Sequence, residues 1–355
     1  MMNSLGMKLG TVALIAALTM TGCGNYGGQK TDTANTTKPE NTVTDSGKPA
    51  ITIKASHGDP ESSPRHKGLA QFAKTVDEKS QGRIKVTIYP NGQLSNGNNQ
   101  TMIEQLQTGT LQMATVSNLV FSNFEKKFGA LSLPFLFNDR QKAYNAVDGP
   151  VGTELLSTLE AKGIQGVGYW EGGFRQITNS KKAIATPEDL QGLKIRVPEI
   201  TMYQSLYKKL GATATPMAFG ELFSAMEQKV VDGQENPLVT IDSAKFQEVQ
   251  KHVTIWDYSW DALIVGFNKK FWDGLDDESK KIITDAVKEA GTYERGLVAQ
   301  GDKDLIDKLA KDGMTVTQLS DQQKQAFRAK VADVYKEVES EYIAELIDKL
   351  VEAAK

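Results

Sequence analysis

Four short blocks gather the residues of this chain best suited to polar chemistry. They are Gly172-Gly173-Phe174-Arg175-Gln176-Ile177-Thr178-Asn179, Gly192-Leu193-Lys194-Ile195-Arg196-Val197-Pro198, Thr215-Pro216-Met217-Ala218-Phe219 and Val231-Asp232-Gly233-Gln234-Glu235-Asn236-Pro237. A guanidinium is always charged, and its fork of N–H donors matches a carboxylate with two parallel bonds. The glycines before Arg175 let the backbone turn close to a ligand. The same arginine would serve equally well at a strand end paired with a structural acid such as Glu171, and the residues alone leave both roles open. In the second block, alternation puts Ile195 and Val197 on one strand face and Lys194 and Arg196 on the other. Arg196 therefore points either at a site or at solvent. The Asn236 amide can donate and accept, and Pro237 biases it toward extended backbone. Phe219 heads an apolar helical face and suits either core packing or contact with a ligand body.

Other chemistries find little support. There is no G-x-S-x-G elbow, P-loop or G-x-G-x-x-G; Gly166-Val167-Gly168 lacks a third glycine at the right distance. The three histidines, His57, His66 and His252, show no metal-ligand spacing, and the single cysteine, Cys23, allows neither an intrachain disulfide nor a thiol cluster. No metal, no cofactor and no enzymatic activity are expected. A formal net charge of -3 is unfavourable for nucleic-acid binding, which needs a basic surface.

The elements that must position these blocks begin after an export signal. Lys8 precedes an apolar run from Leu9 to Leu18, too short for the ~20 residues of a membrane span and fitting the core of a secretory signal. Met20-Thr21-Gly22-Cys23 resembles the lipobox of bacterial lipoproteins, with Met20 where leucine is usual, so residues 1–22 read as a signal peptide and Cys23 as a lipidation site. Residues 23–49, rich in Gly, Thr, Asn, Lys and Pro, cannot bury enough surface to fold. They read as a lipidated tether reaching roughly 25–30 Å as a flexible coil.

From residue 51 strand and helix patterns alternate, the grammar of an α/β sheet. Ile51, Ile53 and Ala55 alternate as a strand; Leu69, Phe72, Ala73 and Val76 repeat at helical spacing; Ile84, Val86 and Ile88 form the next strand. Residues 100–108 read as a helix before a strand at 111–116, and Ile164 to Tyr169 as a further strand. Thr186-Pro187-Glu188-Asp189 carries the N-cap, proline and acids of a helix start. Phe219, Leu222, Phe223, Met226 and Val230 share one face of a helix predicted over 219–231, closed by Gly233. The end is mostly amphipathic helix, with a last one predicted from Asp321 to the terminus.

The four blocks, in this order and at these intervals, resemble the solute-binding proteins of tripartite ATP-independent periplasmic (TRAP) transporters, the DctP family. Ser56-His57-Gly58, Tyr89-Pro90-Asn91-Gly92-Gln93-Leu94 and Leu133-Pro134-Phe135 fit as well, so the resemblance spans nearly everything after residue 50. It implies an α/β, two-lobed fold like that of periplasmic binding proteins, each lobe a sheet flanked by helices, with the ligand cleft between lobes. It implies that Arg175 salt-bridges a ligand carboxylate, that Arg196 and Asn236 add hydrogen bonds, and that Phe219 packs on the ligand. His57, Asn99 and Ser117 stand where members contribute polar groups from the first lobe. One segment departs: where many members carry a histidine pair, this chain has Trp256-Asp257-Tyr258-Ser259-Trp260-Asp261. Asp257 and Trp260 are expected there as contacts for a hydroxylated ligand.

The expected organisation is one lobe from 50–172 and about 262–300, and a second from 173–261 and about 301–355, with C-terminal helices packing across both. The resemblance implies a monomeric extracytoplasmic binding subunit that delivers a small carboxylate to small and large permease subunits. A sugar acid such as a uronate, aldonate or sialic acid is favoured. A C4-dicarboxylate or other organic acid, or a role as the sensing subunit of a membrane signalling system, is the alternative.

Overall fold

The computed structural model describes residues 50–342 and 344–354; the signal segment, Cys23 and most of the tether lie outside them. Ten strands follow in chain order: β1 (Ile51–Ser56), β2 (Ile84–Tyr89), β3 (Met113–Ser117), β4 (Ile164–Asn179), β5 (Lys194–Val197), β6 (Thr213–Pro216), β7 (Gly233–Pro237), β8 (His252–Ile255), β9 (Trp260–Asn268) and β10 (Thr315–Gln318). They join in the order β2-β1-β3-β9-β4-β7-β5-β6, with β8 bridging β4 and β10. Helices flank the sheet, giving the α/β architecture that the alternating pattern predicts.

The architecture turns on β4. Its first part, to Phe174, pairs antiparallel with β9; from Arg175 onward it pairs with β7, and its last residues also with β8. The alternating pattern ends the strand near Tyr169, but it runs on through the first arginine block to Asn179. A bulge between Glu171 and Gly173, where Gly173 takes a φ of 113°, marks the change of partner. Bulges bend a strand and re-aim its side chains, which is how one strand serves both halves. The parallel strands β1, β2 and β3 build the first half, and β5, β6 and β7 the second.

Long-range helices tie the halves together. The helix Asp277–Lys311 carries Glu289 against Lys79 in the first half (2.8 Å) and Lys308 against Asp242 in the second (2.6 Å). Gly291 lets it sit close on Trp170, whose indole a Cβ there would meet at 2.7 Å. Its Glu294 accepts the backbone N–H of Glu171 at the β4 bulge (3.0 Å).

Three helical expectations need correction. Thr186–Asp189 forms a capping box, but the helix it opens is a single 3-10 turn, Pro187–Leu190. The apolar face from Phe219 breaks into a 3-10 turn, Phe219–Glu221, and a short helix, Leu222–Glu227; Lys229 then takes a φ of 58°, and Val230 is exposed. Gly233 opens β7 rather than closing a helix. The C-terminal helix breaks after Lys330: Asp321–Lys330 is one helix, and helix resumes over Val334–Tyr342 and Ala344–Ala353, while Val331, Val334, Val338, Leu346 and Leu350 are nonetheless buried. Beyond the break the segment packs on the body: Lys209 reaches Glu337 at 2.8 Å, Tyr335 donates to the Pro134 carbonyl at 3.0 Å, and Lys349 lies 3.1 Å from Glu154.

Candidate ligand-binding cleft

A cleft of about 700 Å³, including its open mouth, lies between the halves. Asp59, Arg65, Asn99 and Ser117 line it from the first half, and Arg196, Phe219 and Asn236 from the second. Arg175 and Asp261, on the two strands that run between them, form part of its wall.

Arg175 is 2% exposed and heavily engaged. Its Nε and Nη2 both donate to the Glu235 carboxylate, Nη2 at 2.9 Å; Nη1 donates to Asp261 Oδ2 at 2.9 Å, and Nη2 also reaches Asn236 Oδ1 at 3.2 Å. Tyr258 donates to Glu235 from behind (2.6 Å), and Ser117 to Asp261. Burial works against the charge on Arg175, but Glu235 and Asp261 outweigh it and hold the group well above its ordinary range. For Asp261 burial dominates and raises the carboxyl, against the pull of Arg175 and Ser117.

Arg196 is the contrast. It is 4% exposed and lines the cleft, although Lys194 on the same strand face is exposed. Its Nε and Nη2 donate to one neutral partner, the Met217 carbonyl, at 3.0 and 2.6 Å. Among the described residues no carboxylate lies within ion-pair distance of it, and its Nη1 has no hydrogen-bond partner. Burial, reinforced by the charge of Arg175, pulls it down to about 10. The cleft therefore holds one buried guanidinium whose outer edge faces the cavity unpaired.

The polar residues of the first half are set by local structure. Ser117 is the N-cap of the turn Asn118–Phe121, accepting from the Leu119 N–H at 3.2 Å. Asn98 caps the helix Asn99–Thr108, and Gly58 leaves room for Asn99, whose Oδ1 would sit 2.5 Å from a Cβ at that position. Arg65 Nε lies 3.2 Å from Asp59 Oδ2, although without the alignment of a hydrogen bond.

Arg175, Arg196, Asn236, Phe219, Asn99 and Ser117 thus come together as expected, while three other residues stand elsewhere. His57 is wholly buried behind the cleft, its Nε2 3.0 Å from His66 Nδ1 and its Nδ1 accepting the Asp59 N–H at 3.3 Å. Burial, then the charges of Arg65 and His66, keep it well below its ordinary value and neutral. Trp260 points away because the alternation of β9 that turns Asp261 inward turns its neighbour outward. Its indole donates to Glu171 at 3.0 Å and packs on Phe137 and Tyr144. Asp257 has a φ of 51° that directs its carboxylate to Gln176 and Lys324, each at 2.7 Å. It lines a separate hollow with Phe174 and Gln176, the residues flanking Arg175 on β4. Glu171 is likewise not the partner of Arg175; Arg140, Tyr144 and Trp260 occupy its carboxylate. Sequence reasoning missed Asp59, Arg65, Glu235 and Asp261, and for Asp261 the parity of β9 was the available signal.

Residues 55–341 match the family described as bacterial extracellular solute-binding protein, family 7 (DctP). The chain is 35% identical over 263 residues (74% of this chain, 79% of the relative) to the 2,3-diketo-L-gulonate-binding periplasmic protein YiaO of Escherichia coli. It is 32% identical over 306 residues (86% and 87%) to the C4-dicarboxylate-binding protein DctB of Bacillus subtilis. Among solved structures, the sugar acid binding protein DctPAm of Advenella mimigardefordensis, in complex with galactonate, superimposes with a TM-score of 0.83 at 36% identity, covering 86% of this chain and 98% of that one. These relatives are binding proteins rather than enzymes, and with a family match across most of its length this chain belongs to the DctP family of bacterial extracellular solute-binding proteins.

Proposed function

We propose that this chain captures a small hydroxylated monocarboxylate outside the cell and delivers it to TRAP membrane permease subunits. The observation that carries the reading is Arg196, a buried guanidinium in the cleft with no carboxylate partner among the described residues. A ligand carboxylate would take its open edge end-on. Arg175, held by Glu235 and Asp261, then acts chiefly as the rigid wall of the site, with a remaining Nη1 proton for a second contact. Asn236 and Ser117 add polar contacts and Phe219 an apolar face. Closing the two halves as lobes excludes water, which strengthens every one of these interactions.

The charge pattern favours a sugar acid over a dicarboxylate. Arg65 sits beside Asp59, and Arg175 beside Glu235 and Asp261, so one cation is left for one anion. The galactonate complex of the similar protein supports the same class. The N-terminal reading adds a lipid on Cys23 that keeps the protein at the outer face of the membrane; replacing Cys23 with serine would release it to the soluble fraction.

The test of binding is a thermal-shift and calorimetric screen of the mature chain against aldonates, uronates and C4-dicarboxylates. A ligand at 100 times its Kd adds about 2.7 kcal/mol of apparent stability. A response to neutral or cationic solutes alone, with none to any carboxylate, would overturn the assignment.

A further inference from the structure

The cleft is electrically lopsided. Arg196, on β5, occupies one side with exposed Glu199 nearby. The opposing wall presents two carboxylates, Asp261 on β9 and Asp59 after β1, both less than a tenth exposed. Asp261 is built in from three directions: Arg175 Nη1 holds Oδ2, Ser117 Oγ donates to Oδ1, and Gly172 has no side chain, since a Cβ there would lie 2.8 Å from Oδ2. An ionised carboxylate accepts at about four lone-pair positions. Arg175 and Ser117 use two, so the Asp261 oxygens that line the cavity retain acceptor capacity toward a ligand.

We infer that Asp261 is the specificity-determining residue of the cleft, accepting hydroxyl hydrogen bonds from the body of the ligand and excluding a second anionic group. The inference rests on the carboxylate-binding reading above and names what the far side of that site selects. A hydroxyl can donate to Asp261; a second carboxylate cannot, and it would be desolvated beside a buried like charge. Like-charge juxtaposition of that kind suppresses binding of the wrong partner. Among the described residues that line the cleft no second free cation offsets it, because Arg65 lies at Asp59 and Arg175 is already shared between Glu235 and Asp261. Serine at 117 cannot reverse the preference, since its one proton is committed to Asp261. Selection in this chain would thus come from a repulsive element as much as from an attractive one.

The experiment compares galactonate with succinate, as an aldonate and a C4-dicarboxylate, in calorimetric titrations of the wild-type chain and the Asp261→Asn variant. Asparagine keeps the shape and removes the charge. The wild type should prefer galactonate, and Asp261→Asn should narrow the preference by ~10- to 100-fold, with succinate gaining affinity as galactonate loses it. Asp261→Ser, smaller and also neutral, should shift the ratio the same way and serves if the asparagine variant does not fold. A folded variant with an unchanged ratio overturns this proposal and leaves the carboxylate reading standing. A wild type that binds neither anion, nor any other carboxylate, overturns both.

Discussion

Gly97 and Gly220 meet backbone to backbone at the mouth of the cleft: a Cβ built on Gly220 would lie 3.0 Å from both Cα and the carbonyl oxygen of Gly97. Their neighbours Asn98 and Phe219 line the cavity from opposite halves, so this contact bridges the two sides of the cleft. Gly97 has a φ of 74°, which favours glycine in its own right, whereas Gly220 sits in a 3-10 turn that any residue can adopt. Gly220→Ala should therefore fold normally and weaken ligand binding slightly. Gly220→Leu should hold the halves apart and weaken it roughly tenfold, or ~1.4 kcal/mol. The loss should appear in the dissociation rate, with the melting temperature of the ligand-free protein unchanged. Stopped-flow measurement of both rates checks this, and an unaltered off-rate in Gly220→Leu would remove the glycine contact from closure.

The two cleft arginines should respond oppositely to removal. Arg196 is buried without a carboxylate, so its charge burdens the ligand-free protein. Arg196→Met should raise the ligand-free melting temperature, as relief of functional strain commonly does, while costing ~2–5 kcal/mol of ligand binding. Arg175→Met instead strands Glu235 and Asp261, both buried, with no cation between them. Breaking a buried pair from one side costs ~3–5 kcal/mol of stability. Thermal melts of the two variants without ligand give the answer directly. A fall in both would mean that Arg196 has a structural partner after all.

How far the sequence reaches can be seen in these same residues. Period-two alternation puts Arg196 on the same face of β5 as Lys194 and leaves site and solvent both open; its burial at the cleft is what decides between them. The four blocks located the cleft because each sits at the end of a strand or at a turn beside it. What local pattern could not supply was partnership across long separations. Arg175 meets Asp261 only because a bulge at Glu171–Gly173 lets β4 change neighbours, and no motif in the chain announces a bulge. Trp260 is expected at the ligand because an aromatic face suits a sugar ring, but the parity of β9 turns only one of Trp260 and Asp261 toward the cleft, and that one is Asp261. The long C-terminal helix fails differently: its apolar stripe is real, but the helix breaks between Lys330 and Val334, and periodicity alone carries no sign of that turn.

The bulge in β4 carries a titration that should be visible in stability. Glu294, on the long helix, is fully buried; its Oε2 accepts the Glu171 N–H at the β4 bulge, and its Oε1 has no partner among the described residues. Burial, with the neighbouring Glu171 charge, raises its carboxyl from an ordinary 4.5 to about 8, against the pull of that N–H. A carboxyl whose folded pKa lies above its unfolded value binds its proton more tightly when folded. The stability it contributes is complete below about 4.5, is lost as pH rises toward about 8, and is flat beyond. Glu294→Gln keeps an oxygen for the Glu171 N–H and cannot titrate. The variant's melting temperature relative to wild type should therefore climb by several degrees between about pH 5 and about pH 8 and then level off. Melts of both proteins in matched buffers across that range measure the gap. A gap that stays constant would mean that Glu294 is already ionised throughout, with some donor supplying the missing partner of Oε1.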